Sequence, residues 1–142
     1  MKLVDANLLL YAVNEDAPFH RHAKVWLETA LSGAETVAFT WPVLLAFLRL
    51  ATRPAVFVQP LAVEEAFDLV DAWLNQPSVV VLQPSARHLS VLKDLLLPLG
   101  TAGNLTSDAD LAAIAVEHGA ELCSTDRDFA RFPAVRWTNP LA

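Results

Sequence analysis

The sequence predicts an α/β protein of three layers (α/β/α), with a mostly parallel central sheet flanked by helices on both faces. Three observations carry this. Short strand-like runs alternate with helix-like runs along the whole chain, and that order calls for crossover connections, which make neighbouring strands parallel. The chain has 142 residues, the length of one domain with a single well-buried core. No repeat, low-complexity tract or linker divides it, so residues 1–142 are expected to form one domain.

The elements follow in order. Residues 2–5 (KLVD) read as a short apolar strand. In 19–31 (FHRHAKVWLETAL), Ala23, Trp26, Leu27, Ala30 and Leu31 recur at helical spacing, and Gly33 is the expected C-cap. Residues 36–39 (TVAF) read as a strand. Thr40 can then cap a helix that has Pro42 in its first turn and runs through Thr52. Pro54 and Pro60 bracket a loop. Residues 63–76 (VEEAFDLVDAWLNQ) are amphipathic, with Ala66, Phe67, Val70, Trp73 and Leu74 on one face. Residues 79–82 (VVVL) read as a buried strand, β-branched and bounded by Pro77 and Pro84. Residues 85–97 predict a helix with Ser85 as N-cap, 98–104 a loop, and 107–119 a helix closed by Gly119. Residues 121–125 (ELCST) read as a strand, and 135–137 (VRW) as a last, short one.

Composition narrows the function classes. Apolar residues make up 54% of the chain, mean hydropathy is +0.37 and charged residues are 18%. No apolar run approaches the roughly 18 residues of a membrane-spanning helix. The opening MKLVDANLLLY lacks a signal-peptide layout, because an acid interrupts the apolar stretch. The single cysteine, Cys123, excludes an intrachain disulfide and a Cys-rich zinc site, and reads as a buried strand residue. A reducing, cytoplasmic setting is expected. The apolar surplus predicts a partner chain, a homodimer first. The net charge of −6 argues against a basic nucleic-acid surface, unless the acids gather round a metal ion and so invert the local field.

Asp5 poses the functional question. It lies inside the apolar run LVDANLLLY, where an unpaired carboxylate is costly. In open parallel sheets, ligands sit beyond the carboxyl ends of the strands. Asp5 ends the first strand, Asp126 follows ELCST, and Asp108 opens the helix that feeds that strand, so three carboxylates are expected on one sheet edge. Each alone has an ordinary reading. Asp108 suits the positive end of a helix, and Asp126 and Asp128 suit a turn. Together they repel, and the chain has only Lys2, Lys24 and Lys93 as lysines. An oxygen-only donor set suits Mg²⁺ or Mn²⁺.

Three segments, LVDANLLLYAV, SDADLAAIA and ELCSTDRDFARFPAVRWTNP, resemble the PIN-domain ribonucleases in order and spacing, in particular the VapC toxins of bacterial toxin–antitoxin pairs. The likeness covers essentially the whole chain and is most specific in the tail, where D-R-D-F follows an apolar strand and Ser-Thr. The resemblance implies a PIN-like fold. It also implies a metal-dependent endoribonuclease that cleaves structured RNA such as tRNA or rRNA, leaves a 5′-phosphate and a 3′-hydroxyl, and is neutralised by a cognate antitoxin. On this resemblance Asp5, Asp108 and Asp126 hold Mg²⁺ (or Mn²⁺), Asp128 is an accessory catalytic acid, and Asn7 with Ser124 or Thr125 supports them. One position departs from the family. A pattern like E-F-L-R normally supplies a further glutamate, whereas LLAFLRL places Ala46 there, and no acid lies between Glu35 and Glu64. A site one carboxylate short holds Mg²⁺ less firmly. It keeps open a second reading, a degenerate PIN fold that binds RNA or an antitoxin without cutting.

Cationic contacts to RNA phosphates fall first to Arg49, then to Arg53, four residues on along the same helix, and to Arg127. Arg131 and Arg136 lie close to the C-terminal acids in sequence. Trp26, Trp41, Trp73 and Trp137 read as core or interface, and His20, His22, His88 and His118 as surface or capping residues. The apolar faces of helices 19–31 and 63–76 are expected to serve a dimer or the groove for an antitoxin helix. Two other α/β classes fail on motif. A receiver domain needs paired acids near the first strand and a lysine after the fifth, and a haloacid-dehalogenase-type phosphatase needs D-x-D where this chain has D-A-N.

Overall fold

In the computed structural model, which describes residues 1–142, five strands form one sheet. They are β1 (Lys2–Val4), β2 (Val37–Phe39), β3 (Val79–Val81), β4 (Glu121–Cys123) and β5 (Trp137–Thr138), in the order β3-β2-β1-β4-β5, and every pairing is parallel. Six α-helices flank it: α1 (Ala6–Val13), α2 (His20–Ser32), α3 (Trp41–Ala51), α4 (Val63–Leu74), α5 (His88–Leu96) and α6 (Thr106–His118). The predicted three-layer α/β/α class is the one found. No helix is long and apolar enough to cross a membrane.

The strand order positions the site. From β1 the chain walks outward through β2 to β3, then returns to the far side of β1 as β4. Leu3 pairs with Ala38 on one side and Leu122 on the other. The switch point in strand order therefore lies between β1 and β4, and their carboxyl ends open a crevice there. Leu3 and Val4, flanked on both sides and covered on both faces, are fully buried.

Several elements differ from the sequence reading. Residues 6–13, to which periodicity assigns no element, form α1. ANLLLYAV is apolar nearly all round, so no polar face announces a helix. The start signal is Asp5, whose Oδ1 accepts the Ala6 N–H at 2.7 Å as N-cap. Thr40 occupies the N-cap position of α3 but makes no capping bond, and its Oγ1 is buried without any partner. Ser85 is not an N-cap either. Helix α5 starts at His88, and the Ser85 hydroxyl instead donates to Glu117 and accepts the Arg87 N–H. The strand VVV is an edge strand rather than a buried one, with Val80 40% exposed. On α4, Ala66, Val70 and Trp73 face the core, but Phe67 is 55% exposed. Helix α6 ends as expected, at Gly119 with φ +65, a left-handed conformation that glycine adopts without strain.

A core of 32 buried apolar residues fills the space between the layers. Phe47 of α3 is fully buried and meets Trp73 of α4 edge-to-face at 4.8 Å. Phe47→Ala is expected to destabilise the fold by about 3–5 kcal/mol through lost transfer energy and a residual cavity, read from urea unfolding. Cys123 is buried, and burial pushes its thiol up to about 12. It is an inert core residue without a chemical role.

Candidate metal centre

The acids come together because three backbone elements converge on the β1–β4 crevice. Asp5 is the first residue after β1, Asp108 lies in the first turn of α6, and Asp126 and Asp128 lie in the turn after β4. Carboxylate oxygens of Asp108, Asp126 and Asp128 all lie within 4.8 Å of one another. Asp5 stands outside that tight trio, close enough for its charge to act on Asp108.

Asp5 is oriented by hydrogen-bond donors from three residues. Its Oδ1 accepts the Ala6 N–H, and its Oδ2 accepts the Ser124 hydroxyl at 2.7 Å and the Asn7 amide at 3.2 Å. Asn7 also donates to Ser124 Oγ at 2.9 Å and accepts the Thr125 N–H at 3.2 Å. Ser124 Oγ in turn accepts the Asp126 N–H at 3.0 Å, and Asp126 Oδ1 accepts the Asp128 N–H at 2.9 Å. The indole of Trp137 donates to the Ser124 carbonyl at 2.9 Å. One continuous hydrogen-bonded chain thus ties the end of β1 to the turn after β4, which gives Asn7, Ser124 and Thr125 a physical part in the site.

The electrostatics are those of carboxylates crowded together at one sheet edge. Burial, and then repulsion from Asp126, Asp5 and Asp128, pushes the Asp108 carboxyl up to about 6. Burial also raises Asp5, with Asp126 repulsion added, against the lowering effect of the Ser124, Ala6 and Asn7 hydrogen bonds. Only Arg131 approaches an acid of the cluster, at 3.6 Å from Asp128, whose side chain is 49% exposed. The donors are all hard oxygens, which match Mg²⁺ or Mn²⁺ and match zinc or copper poorly. The residues present therefore fit a divalent cation.

A cavity of about 220 Å³ adjoins the cluster, bounded by Asp5, Thr40, Ala46, Arg49, Asp108 and Asp110. Arg49 is exposed and pairs with no protein carboxylate. Arg53 and Arg127 are exposed as well, but Arg53 does not border this cavity. Arg136 lies elsewhere. It precedes β5 at the opposite strand end and donates to the Gly119 carbonyl at 2.7 Å.

Sequence reasoning missed a network behind the cavity. His88 places Nδ1 2.6 Å from Glu117 Oε2 and Nε2 2.7 Å from Asp110 Oδ1, so it is no mere surface residue. The legible signal was on α6, where Asp110 and Glu117 stand seven apart and so share one helix face.

An open parallel sheet between helical layers, with acids gathered at its switch point, is the arrangement of a PIN-like α/β/α domain. The chain belongs to the PIN domain family, whose model matches residues 2–135. It is 51% identical to ribonuclease VapC37 of Mycobacterium tuberculosis over 142 residues, covering 100% of this chain and 99% of the relative. Identity to ribonuclease VapC33 of the same species is 45% over 141 residues, covering 99% of each. Among solved structures, the fold resembles that of VapBC2 from Rickettsia felis bound to a promoter DNA fragment, with TM-score 0.70, 20% identity and 97% of each chain covered. It also resembles Mycobacterium tuberculosis VapC20, a sarcin–ricin loop cleaving toxin, with TM-score 0.65, 20% identity, and 96% of this chain and 99% of that one covered.

Proposed function

We propose that this chain is a metal-dependent endoribonuclease toxin of the VapC kind, acting in the cytoplasm on structured RNA such as tRNA or rRNA. Its centre is Asp5, Asp108 and Asp126, with Asp128 beside them. The observation that carries the reading is geometric: carboxylate oxygens of Asp108, Asp126 and Asp128 lie within 4.8 Å of one another at this sheet edge, where burial and then mutual repulsion push the Asp108 carboxyl up to about 6. Asp5, Asp108 and Asp126 would hold Mg²⁺ or Mn²⁺. Such an ion supplies positive charge against the phosphate and acidifies a water.

The remaining work falls to the chain itself. Asn7 and Ser124 keep Asp5 in one orientation, and Trp137 anchors the Ser124 carbonyl. Asp128 is open enough to accept a proton from the attacking water. Arg49, free of protein carboxylates at the cavity edge, is the first residue for an RNA phosphate, with Arg53 and Arg127 further out. The ribonuclease relatives named above support RNA as substrate, and a cognate antitoxin is the partner that belongs to the same reading. Exposed Phe19 and Val25 on the α2 side and Val63 and Phe67 on α4 suit a second copy or an antitoxin helix.

Ala46 favours a second reading, a non-catalytic PIN domain that binds RNA or an antitoxin, because its methyl borders the cavity and supplies no ligand oxygen there. One experiment separates the two. Antitoxin-free protein is incubated with total tRNA and rRNA in Mg²⁺, Mn²⁺ or EDTA. Cutting with either metal and none in EDTA is expected. Folded protein that binds RNA but never cuts it would establish the second reading instead.

A further inference from the structure

The acidic trio lies where two clefts meet. Asp108 borders the cavity that Arg49 flanks, while Asp128 borders a second cleft of about 470 Å³, closed by residues 101–105 and Arg131. Oxygens of these two acids and of Asp126 lie within 4.8 Å of one another, so the centre opens into both clefts. A nuclease that cuts inside a chain has nucleotides on both sides of the scissile phosphate. Each flank then needs its own path away from the centre. The second cleft has no part in the site described above.

Its lining suits a nucleotide. The volume falls within the roughly 300–1,000 Å³ of small-ligand sites. Arg131 is its one cation and Asp128 its one acid. The two meet at 3.6 Å with side chains 58% and 49% exposed. An exposed pair of this kind contributes little, so a phosphate can take the guanidinium over, in the bidentate geometry that suits both groups. Thr101, Ala102, Gly103 and Asn104 are all exposed, and the N–H groups of Thr101 and Ala102 donate to no backbone carbonyl. The Asn104 carboxamide both donates and accepts, which is what reading the edge of an unstacked RNA base requires. A cleft beside the end of α1 makes the contrast. It measures about 260 Å³, carries Glu15, Asp16 and Glu65, and has no cation, so it repels a phosphate chain.

We propose that the second cleft holds the RNA strand on one side of the scissile phosphate, opposite the flank held at Arg49, with Arg131 binding a phosphate and Asn104 reading the neighbouring base. The inference rests on the ribonuclease reading above. It divides the labour in the usual way, since phosphate contacts position a strand and base contacts specify it.

The test has two parts. Binding of fluorescein-labelled single-stranded RNA of random sequence is followed by fluorescence anisotropy over a series of KCl concentrations, in EDTA and on the Asp108→Asn background, so that nothing is cut. Arg131→Met is expected to lower the slope of log affinity against log salt by about 0.7, the value for one phosphate contact on a single strand. Arg49→Met should do the same, and the double variant should lose about twice as much. Asn104→Ala should keep the slope, because an amide neutralises no phosphate. In the second part, total RNA is cut by protein with an intact centre and the new ends are sequenced. Asn104→Ala should relax the base preference on one side of the cut and leave the other side as it was. A residue that only supports the fold moves neither a salt slope nor a one-sided preference. An Arg131→Met protein with the parent's slope, or an Asn104→Ala protein with the parent's cut-site pattern, overturns this proposal, while binding and cutting by the parent leave the nuclease reading standing. A parent that neither binds nor cuts RNA overturns both.

Discussion

Asp108→Asn is expected to abolish metal-dependent RNA cleavage and, in the same protein, to raise the melting temperature of the metal-free form. The two effects share one cause. Asp108 sits in the first turn of α6 among Asp126, Asp5 and Asp128, partly withdrawn from water, and its carboxyl is pushed up to about 6. Near neutral pH the metal-free fold must carry this charge against repulsion, so a neutral isostere relieves strain. On the proposed reading the same substitution also removes a metal ligand, and the loss of cleavage should exceed the roughly 10–100-fold typical of an outer-sphere partner. Adding Mn²⁺ should raise the melting temperature of the wild type, since a ligand that binds only the folded state stabilises it. The variant should not respond. Asp5→Ala makes a useful contrast. It also loses cleavage, but it deletes the cap of α1 together with the acceptor of Ser124 and Asn7, so stability falls by about 0.5–2 kcal/mol, the cost of a lost cap. An Asp108→Asn protein that cuts RNA like the wild type, or melts lower without metal, would refute the charge argument.

The parallel class was legible because alternation of strand and helix is a property of local sequence. Strand order was not. Val79, Val80 and Val81 have the composition of a central strand, and nothing local says that β3 has a neighbour on one side only. Helix α1 escaped for a related reason, since periodicity detects a boundary between polar and apolar faces and ANLLLYAV has none. Asp5, Asp108 and Asp126 could be singled out because each adjoins a strand end or a helix start, and the geometry of open parallel sheets brings such positions to one edge. Arg136 shows the limit of nearness in sequence. It lies ten residues after Asp126 in the chain, yet its guanidinium bonds the carbonyl of Gly119 at the far end of β4. The pairing of His88 with Asp110 and Glu117 depends on how α5 lies across α6, and no pattern within either helix specifies that. Thr40 illustrates a subtler case, since its residue type and position both favour capping, yet the hydroxyl makes no capping bond and is buried without a partner.

Glu117 carries the second large effect. Its side chain is fully buried and accepts three hydrogen bonds, from the Ser85 N–H, the Ser85 hydroxyl and His88 Nδ1. Glu117→Ala leaves a charged imidazole and two Ser85 donors without their acceptor. Breaking a buried charge pair from one side typically costs about 3–5 kcal/mol, mainly because the remaining charge stays uncompensated. The loss should therefore appear in urea unfolding as a large drop in midpoint. The pH dependence follows from opposite shifts at the two partners. Burial disfavours the charge on Glu117, but the Ser85 hydrogen bonds and His88 outweigh it and lower the carboxyl from its ordinary 4.5. That part of the stability is present above 4.5 and is lost as pH falls through the lowered value. Burial likewise disfavours the charge on His88, but Glu117 and Asp110 outweigh it and raise the imidazole from its ordinary 6.5. This part is fully present below 6.5 and is lost as pH rises through the raised value. The network thus stabilises most between the two ordinary values, and the wild type should lose stability on going from about pH 6 to about pH 8, in the range where histidine titrates. In Glu117→Ala that slope should shrink, because the imidazole has lost the first of its two anionic partners. A wild-type melting temperature that stays flat or rises over this interval, or a variant that keeps the full slope, would show that His88 does not carry its proton in the folded protein.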